Sequence, residues 1–212
     1  LLAGFAPGSI LVDMSTIAPE TARSLAQILA RRGIEMLDAP VSGGEQGATA
    51  ATLAIMVGGK AAALERVRPL LELLGKRIVH VGEHGAGQVA KACNQMVMVA
   101  AIQAIAEALH LSRAAGVDPA RVRLALAGGS AGSRVLEVMG GRMVERDFAA
   151  GVEARLHHKD YAVVLGEAHR LGLPMPVSAQ VCQQLNALMA MGWGSADTAA
   201  LLRVLEAGER AT

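Results

Sequence analysis

The sequence changes its periodicity once, near Gly85, and this change limits the folds that the chain can adopt. Before Gly85, short apolar runs alternate with amphipathic segments, whereas after it every periodic segment repeats at helical spacing. Alternating strands and helices are typical of a parallel α/β sheet, and an uninterrupted helical pattern indicates an all-α unit. We therefore predict an α/β domain over residues 1–84 and an all-α domain over residues 85–212, joined by a long interdomain helix.

Apolar runs and glycine or proline stops give the expected elements. Strands are predicted at 9–14, 34–40, 52–59 and 77–82, helices at 19–33 and 61–76, and a glycine-rich loop after Pro40. Further helices are predicted at 86–115, from Asp118-Pro119 onward, and at 133–143, 157–171, 177–191 and 198–207. These strands form only part of a doubly wound sheet, and none of them is followed by the GxGxxG dinucleotide fingerprint.

Composition excludes several classes of function. The chain has 20 Lys and Arg against 19 Asp and Glu, and 2% aromatic residues, so it lacks both the charge and the stacking platforms for nucleic acid. The uncharged run from Ala92 to Ala106 is shorter than the roughly 20 residues that cross a bilayer, so no membrane partner is expected. Cys93 and Cys182 form no CxxC pair, which favours buried, reduced thiols in a cytoplasmic protein.

Lys91 is the only charged residue between Val89 and Ala106, at the head of a helix that is otherwise built for burial. A buried ammonium is costly unless it is paired or used. Helical spacing places Gln88, Asn94 and Gln95 on the same stripe as this lysine. Two interpretations follow. The stripe is either a solvated surface along which the lysine reaches water, or a general acid–base beside an amide that orients a substrate.

Two strand ends carry further candidates. Ser42, Gly43 and Gly44 follow a strand and a proline, and such a loop can present clustered N–H groups to an anion or can simply be a turn. Ser15 and Thr16 lie between a strand and a helix, where ligands bind in open α/β sheets but where helix caps also occur.

A last group of polar residues lies in the helical half, in the segment "LHHKD". Lys159 and Asp160 begin a predicted helix, where a solvated ion pair is the simpler interpretation. His157 and His158 are adjacent and so project to different sides of a helix, which argues against a metal site.

Five stretches together resemble the β-hydroxyacid dehydrogenase family over essentially the whole chain: "DMSTIAP", "DAPVSGGE", "GAGQVAKACNQ", "GGSAGSRVLE" and "LHHKD". The resemblance implies a Rossmann-type sheet followed by a helical substrate and dimerisation domain. It also implies NAD or NADP as cofactor, a small carboxylic acid as substrate, no metal, and a homodimer or homotetramer built through the helical domain.

The resemblance also assigns roles to residues. It makes Lys91 the catalytic lysine and Asn94 the amide that orients the substrate, with Gln95 as the neighbouring candidate. It makes Ser42, Gly43 and Gly44 contacts to the substrate, and Thr16 and Lys159 contacts to the cofactor.

Within the family, the order of the motifs looks most like the branch that reduces tartronate semialdehyde (2-hydroxy-3-oxopropionate). Dehydrogenases of 3-hydroxyisobutyrate, succinic semialdehyde or glyoxylate are the alternatives, as is an inactive, truncated interaction module. The family's glycine-rich pyrophosphate loop has no counterpart in a sequence that starts at Leu1. We therefore expect the N-terminal part of the Rossmann domain to be missing and the 212-residue chain by itself to bind nicotinamide cofactors poorly.

Overall fold

A computed structural model describes residues 4–208, which form two compact units, one ending at Asn94 and the other beginning at Gln95. Leu1, which the sequence places in a loop, lies outside the described residues. The division between the units falls inside a single long helix, α4 (Ala86–Ala114). This helix starts within one residue of the predicted position, where Gly85 with its φ of 86° precedes it.

The first unit is a sheet with helices. In chain order its elements are β1 (Ile10–Asp13), α1 (Pro19–Ala30), β2 (Glu35–Asp38), β3 (Val41–Ser42), α2 (Gly44–Thr49), β4 (Leu53–Gly58), α3 (Ala61–Leu71) and β5 (Gly75–Gly82). Pro19 occupies the first turn of α1, where the missing N–H of proline costs nothing. The β1–α1–β2 connection makes β1 and β2 parallel neighbours, and the β4–α3–β5 connection does the same for β4 and β5.

The sheet is mixed rather than parallel throughout, which corrects the sequence-based expectation. Both β2 and β3 pair with β4 in the antiparallel sense, with Asp38 opposite Gly58 and Val41 opposite Ile55. A parallel return requires a crossover of a dozen or more residues. The segment between β3 and β4 contains only the short helix α2, so the chain folds back antiparallel. The loop predicted after Pro40 is thus a two-residue strand followed by this helix.

The second unit is helical. After the later part of α4 it contains α5 (Pro119–Ala127), α6 (Arg134–Glu145), α7 (Ala154–Leu171), α8 (Pro176–Ala190), a 3-10 turn (Thr198–Ala200) and α9 (Leu201–Glu206). Side chains cap the starts of two helices: Asp118, as expected from the sequence, accepts from Ala120 N, and Ser133 accepts from Leu136 N. Gly172 ends α7 with a φ of 67°.

The core of the second unit forms around α4, which contributes five of its buried side chains: Val99, Ile102, Ile105, Ala106 and Leu109. By length and composition alone, α4 is apolar enough to cross a membrane, a property it shares with core helices of globular proteins. Of the residues in its most apolar stretch, 33% are buried within the chain. Neither cysteine forms a disulfide, but Cys93 on this helix is exposed rather than buried as expected, and Cys182 is half-buried.

Candidate active site

The candidate site in the first unit is organised by Asp38, the last residue of β2, which is 1% exposed. Its Oδ1 accepts a hydrogen bond from Gly85 N at 2.7 Å, and its Oδ2 accepts one from Gln88 N at 3.0 Å. These donors belong to the first turn of α4, whose backbone N–H groups have no partner within the helix. A buried carboxylate therefore caps α4 and fixes its start against the end of β2.

Two glycines make this close approach possible. A Cβ on Gly58 would lie 2.6 Å from Asp38 Oδ1, and a Cβ on Gly87 would lie 2.5 Å from the carbonyl oxygens of Asp38 and Met56. No side chain fits at either position without moving backbone. In the Gly85-Ala86-Gly87 segment before Lys91, the absence of a side chain at Gly87 therefore allows the start of α4 to pack onto the sheet.

The loop after β1 is held to the same helix. Gln88, 1% exposed, donates from Nε2 to Ser15 O at 2.8 Å and accepts at Oε1 from Ile17 N at 3.1 Å. At the other end of the loop, Asp13 Oδ1 accepts from the backbone N–H and the hydroxyl of Ser15. Thr16, half-buried, thus lies between two anchored peptide groups at the carboxyl end of β1.

Lys91 follows Gln88 on the same face of α4 and is 8% exposed. Gln95, one turn further, is 4% exposed, and Asn94 is half-buried. The stripe of polar residues that the sequence identified is therefore mostly buried, so the interpretation as a solvated surface is wrong. A lysine held in a buried, polar environment is suited to proton transfer.

Ser42, Gly43 and Gly44 lie where β3 passes into α2, also in the first unit. Both glycines have positive φ values, 141° and 61°, which residues other than glycine rarely adopt. A Cβ on Gly43 would meet Leu53 Cδ2 at 3.0 Å, whereas the space beside Gly44 is open to beyond 4 Å. The backbone beside Gly44 is therefore open to a ligand, and the anion-binding role of this loop stays a prediction.

In the second unit Gln95 Nε2 donates to Asp160 Oδ2 at 2.6 Å, and both side chains are buried. The other carboxylate oxygen of Asp160 lies 2.8 Å from the Nζ of Lys159, whose side chain is 50% exposed. Lys159 and Asp160 both belong to α7, and the structure therefore joins two candidates, Gln95 and Lys159, through a carboxylate.

Sequence reasoning missed three roles: Asp38 as the cap of α4, Gln88 as the residue that holds the loop after β1, and Asp160 as the link between Gln95 and Lys159. Asp38 ends an apolar run just before a proline, and Gln88 interrupts an apolar helix start, so both stood out as polar residues in buried segments. Their partners are backbone groups up to 73 positions away in sequence, which no local pattern identifies. Within residues 4–208, no three His, Cys, Asp or Glu side chains are placed to hold a metal ion.

Two family models match the chain, one to each half. Residues 1–82 match the NAD binding domain of 6-phosphogluconate dehydrogenase. Residues 85–205 match the NAD-binding model of NADP-dependent 3-hydroxyisobutyrate dehydrogenase. The fold and the matched models together define an oxidoreductase that uses a nicotinamide cofactor, NAD or NADP.

Similarity to known proteins identifies the family of oxidoreductases to which the chain belongs. The chain is 48% identical over 200 residues to 2-hydroxy-3-oxopropionate reductase of Escherichia coli, covering 94% of the chain and 68% of the relative. It is 42% identical to 3-hydroxyisobutyrate dehydrogenase of Pseudomonas aeruginosa, covering 84% of the chain and 62% of that relative. The chain belongs to the β-hydroxyacid dehydrogenase family, and it spans roughly two thirds of the length of these relatives.

A solved structure agrees with the fold. The 3-hydroxyisobutyrate dehydrogenase of Mycobacterium tuberculosis, determined with L-serine, superimposes with a TM-score of 0.89 at 32% identity, covering 97% of this chain and 72% of that one.

At the carboxyl edge of β1 and β2 the first unit presents polar groups of the kind that contact a nicotinamide dinucleotide, although the glycine-rich pyrophosphate loop has no counterpart in this sequence. Ligands of open α/β sheets bind beyond the carboxyl ends of parallel strands. Here that edge carries a polar loop whose backbone is fixed by Gln88, and Thr16 supplies a hydroxyl within it. The start of α4 is not an anion site, since Asp38 already occupies its N–H groups.

Proposed function

We propose that the protein is an NAD(P)-dependent oxidoreductase that interconverts short 3-hydroxy acids and the corresponding 3-oxo acids. The observation that carries the proposal is the burial of Lys91. This lysine is 8% exposed, and it lies on the helix whose start is fixed by the buried Asp38 carboxylate. The preferred substrate is 2-hydroxy-3-oxopropionate, because the E. coli reductase named for it shares 48% identity with the chain. Dehydrogenation of 3-hydroxyisobutyrate is the alternative within the family, followed by reduction of succinic semialdehyde or glyoxylate.

Each candidate residue has a distinct task in this proposal. In reduction, the Nζ of Lys91 donates a proton to the carbonyl oxygen as it becomes an alkoxide, and in oxidation the neutral amine takes that proton back. Ser42 and the backbone N–H groups of Gly43 and Gly44 bind the substrate carboxylate. This contact places the reacting carbon before chemistry begins.

The remaining polar residues orient substrate and cofactor. Asn94 is the preferred amide for orienting the substrate, because the amide nitrogen of Gln95 already donates to Asp160. Thr16 and Lys159 contact the cofactor. When bound, the nicotinamide supplies or accepts the hydride.

The proposal extends to organisation and location. Residues 1–84 form the C-terminal part of a Rossmann-type domain and residues 85–212 an all-helical substrate and dimerisation domain; the bounds of the two family-model matches, 1–82 and 85–205, support this boundary. We assign the protein to the cytoplasm, consistent with two cysteines that form no disulfide. A homodimer or homotetramer forms through the helices after Gly85, because exposed apolar side chains remain on α4, among them Val97 and Leu111.

Substitution of Lys91 tests the proposed function. In the full-length enzyme, Lys91→Ala lowers kcat by about 10²–10⁴-fold, the usual contribution of a positioned acid–base, while the Kd of the nicotinamide cofactor changes little. Steady-state assays with the substrates named above and both cofactors measure this effect. The matched control is Lys76→Ala, which removes an exposed lysine in β5. A Lys91→Ala enzyme with kcat within threefold of wild type removes the lysine from the mechanism. A wild-type enzyme inactive with all of these substrates favours the interaction module instead.

A further inference from the structure

Gln88 has two sets of contacts, and they belong to different elements. Its backbone N–H donates to Asp38 Oδ2 at 3.0 Å, which fixes the residue to the end of β2. Its side-chain amide bonds the loop after β1 through Ser15 O and Ile17 N, at 2.8 and 3.1 Å. At 1% exposure, water does not compete for these bonds.

The partners fix the orientation of the Gln88 amide. A backbone carbonyl only accepts and a backbone N–H only donates, so Nε2 must face Ser15 and Oε1 must face Ile17. The amide therefore hydrogen-bonds both peptide groups that flank Thr16.

The helix that bears Gln88 has little freedom to shift. Gly87 brings the backbone so close to the carbonyls of Asp38 and Met56 that a Cβ would lie 2.5 Å from each. Lys91 follows on the same face of this helix, and both residues are buried. The loop that carries Thr16 and the helix that carries Lys91 are thus held by the same residue.

We propose that Gln88 is a positioning residue for the nicotinamide cofactor: it holds the Ser15–Ile17 loop in its cofactor-binding conformation and at a fixed position relative to Lys91. This inference rests on the proposed function, which supplies the cofactor and the lysine. A loop ordered before binding does not lose conformational freedom when the ligand arrives, and so binds it more tightly. Loss of the two hydrogen bonds releases the loop and weakens cofactor binding.

The first test removes both bonds while keeping side-chain length. In the full-length enzyme, Gln88→Met raises the Kd of NADH or NADPH, whichever the wild type prefers, by about tenfold, measured by calorimetric titration. The KM for the cofactor rises in parallel, and the KM for the hydroxy acid changes less than twofold, because the substrate loop lies on β3 and α2. Gln27→Met, an exposed glutamine in α1, is the control and leaves both constants unchanged.

The second test uses pH. In the Gln88→Glu variant the protonated carboxyl can donate to Ser15 O and accept from Ile17 N, whereas the carboxylate can only accept. Burial favours the protonated form, so cofactor affinity of this variant approaches that of wild type near about pH 5.5 and falls away near about pH 8. The wild-type affinity, measured over the same range, provides the reference. A residue that served stability alone would lower the melting temperature without producing this pH dependence of affinity.

The outcomes separate the inference from the proposed function. A folded Gln88→Met enzyme whose cofactor Kd stays within twofold of wild type overturns the positioning role. So does a Gln88→Glu enzyme whose affinity relative to wild type is the same at both pH values, and this second variant decides the matter if Gln88→Met fails to fold. A wild-type enzyme that binds the cofactor but oxidises no 3-hydroxy acid contradicts the proposed function, while the binding data still decide the role of Gln88.

Discussion

At the scale of single residues, Lys91 shows why one charge is tolerated in an apolar helix. The lysine is 8% exposed, and on the same face Gln88 and Gln95 are buried as well, while Asn94 is half-buried. An ammonium in such surroundings costs stability unless it is paired or used. In the function proposed above the lysine is used for proton transfer, which accounts for the departure of this stripe from the surrounding pattern of apolar side chains.

Tyr161 gives a residue-scale prediction about pH. Its side chain is fully buried, its hydroxyl donates to Met96 O at 2.9 Å, and burial, with the nearby Cys182 thiol, raises the pKa of the phenol to about 12. Its ordinary pKa is about 10, so the unfolded chain loses this proton at lower pH than the folded protein. The stability that Tyr161 contributes through this pKa difference is fully present below about pH 10 and is lost as pH rises through about 12.

We expect Tyr161→Phe to have two effects on stability. Near neutral pH it lowers the free energy of unfolding by about 1 kcal/mol through the lost hydrogen bond. Between about pH 10 and 12 it flattens the fall of stability with pH, because the titrating group is gone. Urea denaturation at a series of pH values measures both. A variant as steeply pH-dependent as wild type in this range would show that another group is responsible.

At the scale of elements, the sequence predicted those whose signals are local and missed those defined by partners elsewhere. Pro19, Gly85 and Asp118 mark helix ends through their own backbone preferences, and the helices begin or end beside them. The antiparallel return of β4 and the helix α2 follow instead from pairing across the sheet. The sequence shows the glycines before Lys91, but it does not show why they are needed. The role of the last of them, to make room for the buried Asp38 carboxylate at the end of β2, follows from how the strands pack.

The cap of α4 yields an element-scale prediction. Asp38→Asn leaves only one acceptor oxygen for Gly85 N and Gln88 N and turns an amide group toward one of these donors. Because the site is 1% exposed, water cannot replace the lost bond, and the free energy of unfolding falls by about 1–3 kcal/mol.

Asp118→Asn is the matched control, since this aspartate also caps a helix but its side chain is 55% exposed. Asparagine caps helices about as well as aspartate at exposed sites, so we expect a change below about 0.5 kcal/mol there. Chemical denaturation of both variants against wild type gives the comparison. Equal losses at the two positions would mean that burial does not set the strength of the α4 cap.

At the scale of the whole molecule, the apolar surface of α4 exceeds what the chain itself covers. Only 33% of the residues in its most apolar stretch are buried, and Val97 and Leu111 on this helix remain 65% and 69% exposed. With about 3.6 residues per turn, these two side chains lie on the same side of the helix. Buried residues from the same helix form the core of the second unit, so its exposed side is left for another surface.

The final prediction concerns what covers that side. We expect a second copy of the chain to pack there and to bury well over about 1,000 Å² in total, the usual lower limit for a specific interface. A charge placed in such an interface loses its hydration without gaining a partner, so the double variant Val97→Asp, Leu111→Asp dissociates to monomers. Leu73→Asp, at a position 70% exposed in the first unit, serves as the control and keeps the wild-type assembly. Light scattering coupled to gel filtration distinguishes these states, and a wild-type protein that elutes as a monomer at micromolar concentration contradicts the prediction.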